Sequence, residues 1–269
     1  GQVRLIAPDI HLDALLDELP GDHPLVLAIT LTAAQLGGAP LPAMEVRLSS
    51  SIPLAAGFGS SAATSIAIIR ALAAFLGHSL PVEIISELAY RVEKRHHGNP
   101  SGIDNTVIAF ERPVYFVRGQ PFETLLPAKP FTLVIADSGV QSSTAAVVAD
   151  VRRLYQADPQ ASEAAFTAIG ELSRQARERI QNGQIEDLGA LMNRNQRLLR
   201  ELTISSPELD RLVDAALESG AQGAKLSGGG RGGNMIALVT PETAGAVVTG
   251  LRAAGAVRTW ITTISLAEG

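Results

Sequence analysis

The chain has 269 residues, of which 46% are hydrophobic, 18% charged and only 4% aromatic, a composition typical of an α/β or α+β enzyme with one large domain or two. Its net charge of −5 argues against nucleic acid or an anionic membrane as the main partner, and the lack of cysteine excludes disulfides and thiolate metal sites. No segment is long and apolar enough to span a bilayer and the N-terminus has no signal-peptide pattern, so we expect a cytoplasmic protein without a membrane partner.

The predicted elements alternate along the chain without a repeat. Hydrophobic periodicity and turn signals predict a strand at 44–49, helices at 62–76 and 81–94, strands at 105–110, 114–117 and 132–136, helices at 143–155, 160–182, 185–201 and 207–219, and a final strand, helix and strand at 235–239, 241–254 and 257–264. The helix-rich stretch 143–219 suggests a second lobe. Residues 1–10 enter with no preceding strand as a partner, which suggests that upstream residues are missing.

The first glycine-rich place is Gly-Phe-Gly-Ser-Ser at residues 57–61, between an apolar run and a nearly uncharged helix. Small residues let backbone N–H groups approach a ligand, and the N-terminus of the following helix adds partial positive charge. Ser60 and Ser61 could cap that helix or present a hydroxyl to a phosphate-bound metal. Tight packing of an Ala-rich helix against a strand is the alternative interpretation.

Two common phosphate motifs do not explain this segment. A P-loop requires Gly-Lys, and the chain has no such pair. Gly57, Gly59 and Ala62 satisfy the dinucleotide pattern G-x-G-x-x-A. That motif also needs a second strand ending in an acid, whereas a helix is predicted next.

The second place is residues 92–107, where a helix ends in basic residues and turn formers precede Asp104. Glu93 and Asp104 flank this turn, which could fold the two carboxylates toward one point. Phosphoryl transfer requires an acid that binds magnesium and another that orients a hydroxyl. Alternatively, Asp104 could satisfy nearby amides and Glu93 could pair with Arg91 or Arg95.

The third place is residues 223–235, where five of the six residues at 228–233 are glycine. Lys225, one of three lysines in the chain, lies beside this run. So many glycines next to a strand favour a loop that contacts a ligand, although a plain glycine-rich hairpin fits too.

Together the three places resemble the GHMP kinase superfamily and, within it, the mevalonate kinase family. Residues 53–63 resemble its phosphate-binding motif and residues 225–233 its C-terminal glycine motif. The segment His-Gly-Asn-Pro-Ser-Gly-Ile-Asp-Asn at 97–105 is more specific and resembles the active-site turn of mevalonate kinases.

The resemblance implies a role for each matching residue. Asp104 would be catalytic and contact the substrate hydroxyl, and Ser61 and Glu93 would bind Mg²⁺. Thr144, Gly228 and Gly229 would contact the substrate. ATP would be bound by Pro53, Ala55, Ala56, Gly57, Phe58, Gly59, Ser60, Ser61 and Ala62, with a side chain at Gly59 taking the space of a phosphate.

The implied fold is α+β with two lobes: an N-terminal lobe at 1–140 with the phosphate-binding loop, and a ferredoxin-like C-terminal lobe at 141–269, with the active site between them. The implied reaction is ATP- and Mg²⁺-dependent phosphorylation of the primary hydroxyl of mevalonate, and a homodimer is one expected assembly. Phosphomevalonate, homoserine or a sugar is the alternative substrate, and a related decarboxylase shares the fold.

The chain also departs from the family pattern. The family's first motif, Pro-x-Lys followed by Gly-Glu-His, has no match before Met44. Phe58 replaces the usual Leu or Met, Gly229 replaces a frequent alanine, and Ser142 stands where some relatives have a basic residue. A catalytically inactive relative that binds ATP or a partner is therefore a further alternative.

Overall fold

The computed structural model describes residues 1–52, 57–97 and 100–265, with the backbone alone for His96 and His97. The chain divides into two compact units, Gly1–Thr124 and Leu125–Gly269. Within the described residues, no helix has both the length and the apolar character needed to cross a membrane.

The first unit begins with a small mixed sheet in which the opening residues take the central position. β1 (Val3–Ala7) pairs antiparallel with β2 (Leu12–Leu15) and parallel with β3 (Met44–Arg47). Later in the unit, β4 (Val114–Tyr115) and β5 (Glu123–Thr124) form a short antiparallel pair. The predicted strands at 44–49 and 114–117 are confirmed, but β1, β2 and β5 were not predicted.

In the described part of the first unit, helices contain more residues than strands do. They are α1 (Pro24–Gln35), α2 (Ser60–Phe75), α3 (Val82–His97) and α4 (Ile103–Phe110). The predicted helices at 62–76 and 81–94 are confirmed as α2 and α3. Each packs an apolar face into the core, because Ile66 and Ile69 of α2 meet Leu88 and Ala89 of α3 in one buried cluster.

The prediction of a strand at 105–110 was wrong, since these residues belong to α4. Their β-branched side chains favour a strand locally, but tertiary contacts decide otherwise. Asn105 is buried and donates its amide to Ser86 Oγ at 2.9 Å, while Thr106 Oγ1 donates to the Gly102 carbonyl at 2.7 Å, one helical turn back. The buried hydrogen bond of Asn105 and the bond of Thr106 to the preceding turn are therefore made by a helix and not by a strand.

The second unit contains a four-stranded antiparallel sheet in the order β7-β8-β6-β9. Its strands are β6 (Phe131–Asp137), β7 (Gly223–Ser227), β8 (Asn234–Val239) and β9 (Arg258–Ile264). Two helices, α8 (Pro207–Glu218) and α9 (Pro241–Ala253), pack against the sheet around one apolar core. The succession β6-α8-β7-β8-α9-β9 confirms the ferredoxin-like character of this unit.

Three further helices lie between β6 and α8. They are α5 (Thr144–Ala157), α6 (Pro159–Asn182) and α7 (Leu188–Glu201). All were predicted, except that residues 185–187 form a short 3-10 turn before α7. The predicted lobe boundary between 140 and 141 lies after β6, yet β6 pairs with β8 and β9 and so belongs to the second unit.

Side chains of α7 bind the outer edge of β7, the strand that leads into the glycine-rich loop. Asn193 Oδ1 accepts from the Ala224 N–H at 2.9 Å, and the buried Gln196 accepts from the Leu226 N–H at 2.9 Å. Gln196 in turn donates to Asp210 at 3.1 Å. These bonds satisfy backbone groups that an edge strand would otherwise leave open, and they fix the strand before the loop.

Candidate functional site

In the first unit, a glycine-rich turn leads directly into α2. Gly57 and Gly59 have φ angles of +75° and +65°, a left-handed conformation that glycine adopts without steric cost. Gly59 is the N-cap of α2 and makes no side-chain cap, so the helix begins at Ser60 and Ser61 with backbone N–H groups at its positive end. Of the residues predicted to bind ATP, Pro53, Ala55 and Ala56 lie outside the described residues.

Gly59 is also constrained by the neighbouring α4. A Cβ atom at this position would lie 3.0 Å from Ile108 Cδ1 and 3.5 Å from Cβ and Cγ of Asp104. The Cβ would point toward α4. The expectation that a larger side chain here would take phosphate space stays a prediction. The glycine lets the turn approach the helix that carries Asp104.

Ser61 and Glu93 meet although they are 32 residues apart in sequence. Ser61 Oγ donates to Glu93 Oε1 at 2.5 Å, and the Glu93 residue is only 7% exposed. The contact joins the first turn of α2 to the last turns of α3. A hydroxyl and a carboxylate are hard oxygen ligands of the kind that Mg²⁺ binds. Burial of a charged carboxylate is costly unless it is hydrogen-bonded, paired with a cation or bound to a metal.

Asp104 lies in the first turn of α4, is exposed, and sits against Gly59. The end of α4 is tied to α2, because Arg70 Nη2 donates to the Ala109 carbonyl at 2.7 Å. Packing of α2, α3 and α4 thus gathers the glycine turn, the Ser61–Glu93 pair and Asp104 in one region of the first unit.

In the second unit, the glycine loop (residues 228–233) joins β7 to β8. Gly228, Gly230, Gly232 and Gly233 all have positive φ. A Cβ at Gly230 would lie 2.2 Å from the Ile204 carbonyl oxygen. This close backbone approach explains a glycine there.

Thr144, the first residue of α5, lies against the glycine loop. A Cβ at Gly229 would be 2.8 Å from Thr144 Oγ1, so alanine at this position would require the threonine side chain to shift. Thr144 and Gly228 are exposed. Ser143 caps the helix by accepting from the Ala146 N–H at 3.3 Å. The structure therefore brings together the three residues predicted to contact the substrate in this unit.

Lys225 lies on β7, three residues before the glycine loop. Its ammonium donates to the Leu226 carbonyl at 2.6 Å. Burial lowers the pKa of this ammonium from 10.5 to about 8, because the charged form loses hydration. The Lys225 residue is half-buried, and the interpretation of Lys225 as a marker of a ligand-binding loop stays a prediction.

Sequence reasoning missed Ile108 and Arg231. Ile108 was placed in a strand, which hid its contact with the glycine turn. Arg231 is the one non-glycine residue of the loop and has a φ of +55°. A single large side chain in a run of glycines was an available signal for a contact that fixes the loop.

We expect Gly59→Ala to destabilise the protein more than Gly77→Ala. Gly77 has a similar φ of +78° but nothing within 4 Å of an added Cβ, so it isolates the backbone strain, about 1–2 kcal/mol. The additional loss at Gly59 comes from the contact with Ile108. Urea denaturation measures both, and adding Ile108→Val, which removes Cδ1, should reduce the difference. Equal losses in the two glycine variants would contradict the packing role.

Known families match both units. A model described as GHMP kinases N terminal domain matches residues 24–112, and one described as GHMP kinases C terminal matches residues 176–257. The first match contains the glycine turn, Glu93 and Asp104, and the second contains the glycine loop.

Individual relatives agree with these matches. The mevalonate kinase of Thermococcus sibiricus is 38% identical over 217 residues, which is 79% of this chain and 64% of that protein. The chain thus spans 64% of the length of this relative. The crystal structure of L. major mevalonate kinase in complex with R-mevalonate matches with a TM-score of 0.79 and 29% identity, covering 99% of this chain and 82% of the other. The crystal structure of the Methanococcus jannaschii mevalonate kinase matches with a TM-score of 0.82 and 27% identity, covering 99% of this chain and 85% of the other.

Proposed function

Because the chain belongs to the GHMP kinase family, we propose that it acts as an ATP-dependent kinase. It would phosphorylate the primary hydroxyl of mevalonate and so form 5-phosphomevalonate. The observation that carries the proposal is the Ser61–Glu93 hydrogen bond at the start of α2, in the same region as Asp104. The names of the relatives support mevalonate as the substrate.

The turn at 57–62 would bind the ATP phosphates. Its left-handed glycines and the uncapped first turn of α2 offer backbone N–H groups and the positive end of the helix dipole to an anion. Phe58 is half-buried, and Ala62 is buried in the helix, so Ser60 and Ser61 supply the polar side chains of this turn.

Ser61 and Glu93 would hold Mg²⁺, which neutralises charge on the phosphate oxygens when bound. No group of three or more His, Cys, Asp or Glu side chains suited to a metal occurs in the described part of the chain. Mg²⁺ commonly uses one or two protein ligands and takes the rest from substrate phosphates and water. One carboxylate and one hydroxyl therefore fit this ion.

Asp104 would act on the attacking hydroxyl. As the oxygen of the alcohol bonds to the γ-phosphorus and the bond from that phosphorus to the ADP oxygen breaks, the hydroxyl proton must leave. A carboxylate within about 2.6–3.2 Å could accept this proton or orient the hydroxyl. In the second unit, Thr144, Gly228 and Gly229 would contact the substrate, since they form one exposed surface.

The substrate can be tested directly with purified enzyme. We expect ATP-dependent phosphorylation of R-mevalonate, measured as ADP release and by mass spectrometry of the product. Phosphomevalonate, homoserine and galactose serve as competing acceptors, and kcat/KM should be highest for mevalonate. A higher kcat/KM for another acceptor would replace mevalonate within the same kinase reaction. ATP binding without turnover of any acceptor would instead support the inactive relative.

A further inference from the structure

We propose that Arg231 is a positioning residue that holds the glycine loop against α5 and so keeps Gly229 beside Thr144. The inference rests on the proposed function, in which Thr144 and Gly229 contact mevalonate. The arginine itself would not touch the reacting atoms.

The Arg231 side chain bonds to two separate elements. Its Nε donates to the Thr203 carbonyl at 2.9 Å, and Nη2 donates to Thr203 Oγ1 at 3.1 Å, just after α7. Its Nη1 forms an ion pair with Asp150 on α5. The backbone adds a third contact, because the Arg231 N–H donates to the Ile204 carbonyl at 2.7 Å. One residue therefore links the loop, α5 and the segment between α7 and α8.

The backbone conformation at this position is unusual for a residue with a side chain. Arg231 has a φ of +55°, a left-handed conformation that non-glycine residues rarely adopt, in a loop where glycine occupies the other positions. Thr203, its hydrogen-bond partner, also has a φ of +55°. Two unfavourable backbone conformations are thus held by contacts between the same two residues. Arginine suits this arrangement because its planar guanidinium donates in several directions at once.

Along the sequence, Arg231 lies two residues after Gly229, and Asp150 lies six residues after Thr144. Six residues of helix span about 9 Å, so α5 meets the loop at two points, Thr144 and Asp150. The Asp150 side chain is only 25% exposed, and it also pairs with Arg153. Loss of the Arg231–Asp150 pair would leave Gly229 free to move away from Thr144.

Three variants of Arg231 separate positioning from folding. Arg231→Gln removes the charge, and Arg231→Lys keeps the charge but loses the forked donor. Arg231→Gly removes the side chain while relieving the left-handed strain. Arg174→Gln is the matched control, since Arg174 forms an exposed ion pair with Glu171 within α6.

Two readouts follow the loop and the substrate. Hydrogen exchange should become at least about tenfold faster at Gly228–Gly230 and at the first turn of α5 in Arg231→Gln. The KM for mevalonate should rise roughly tenfold, equivalent to about 1.4 kcal/mol, whereas the KM for ATP should stay within about twofold. Arg231→Lys should be intermediate. Arg231→Gly should keep a near-parental melting temperature with the raised mevalonate KM.

Asp150→Asn tests the partner. It should move both readouts in the same direction, and the double variant with Arg231→Gln should be little worse than either single variant. The positioning role would be contradicted by parental exchange and parental mevalonate KM in Arg231→Gly, or by KM values for ATP and mevalonate that rise together with loss of stability.

Failure of the proposed function gives a different result. If the parent phosphorylates no acceptor, the kinase proposal fails, and the exchange rates of Arg231→Gln and Arg174→Gln alone decide whether Arg231 holds the loop. If the parent is active but both readouts stay parental in Arg231→Gln, the kinase proposal stands and the positioning role is wrong.

Discussion

Replacing Asp104 with asparagine should lower kcat at least about a hundredfold, the low end for loss of general acid–base catalysis. The variant keeps the size of the side chain and removes its charge. A primary alcohol is a poor nucleophile at neutral pH, so its proton must leave as the phosphoryl group arrives. Steady-state kinetics with saturating ATP, Mg²⁺ and mevalonate measures the effect.

ATP affinity and melting temperature should change little in Asp104→Asn, because the carboxylate is exposed at the start of α4. Glu83→Gln is a matched control, since Glu83 is an exposed acid in the first turn of α3. It reports the effect of removing a first-turn charge without touching the proposed site. Near-parental turnover of Asp104→Asn would rule out its catalytic role, and loss of folding would support a structural role.

Glu93→Gln should weaken the apparent affinity for Mg²⁺ by at least roughly tenfold, because changing even a partner that only supports a metal ligand costs about 10–100-fold. The amide oxygen of glutamine can still accept from Ser61, so the buried contact and the fold should survive. The lost negative charge is the part that a divalent cation requires. Turnover is measured across a Mg²⁺ titration at fixed ATP.

Glu87→Gln provides the control for this titration, because Glu87 lies on the same helix and is exposed. Ser61→Ala should shift the Mg²⁺ dependence in the same direction as Glu93→Gln, with a smaller effect because the hydroxyl is neutral. A Mg²⁺ dependence identical to the parent in Glu93→Gln would remove Glu93 from the metal site.

The helices of the second unit could be predicted from sequence because their start signals are local. Asp158 before Pro159, Ser206 before Pro207 and Thr240 before Pro241 each accept a hydrogen bond from a backbone N–H of the helix they precede. A cap and a proline at the first helical position act through neighbours in the chain. The predicted and observed starts consequently agree closely.

Elements that depend on distant partners were predicted less well. α4 was taken for a strand because Thr106, Val107 and Ile108 favour one locally, whereas burial of Asn105 against Ser86 selects the helix. β1 was not assigned because its strand character comes from pairing with β2 on one side and β3 on the other.

For the candidate site, the sequence by itself determined which residues are candidates for the chemistry: Ser61, Glu93 and Asp104 were identified by residue type and motif. Only the tertiary structure decided that Ser61 bonds to Glu93 and that Gly59 faces Asp104 and Ile108. A motif records which groups are present, but contacts between residues far apart in the chain arise from the packing of helices. That packing is set by buried side chains along their full length, which no short segment contains.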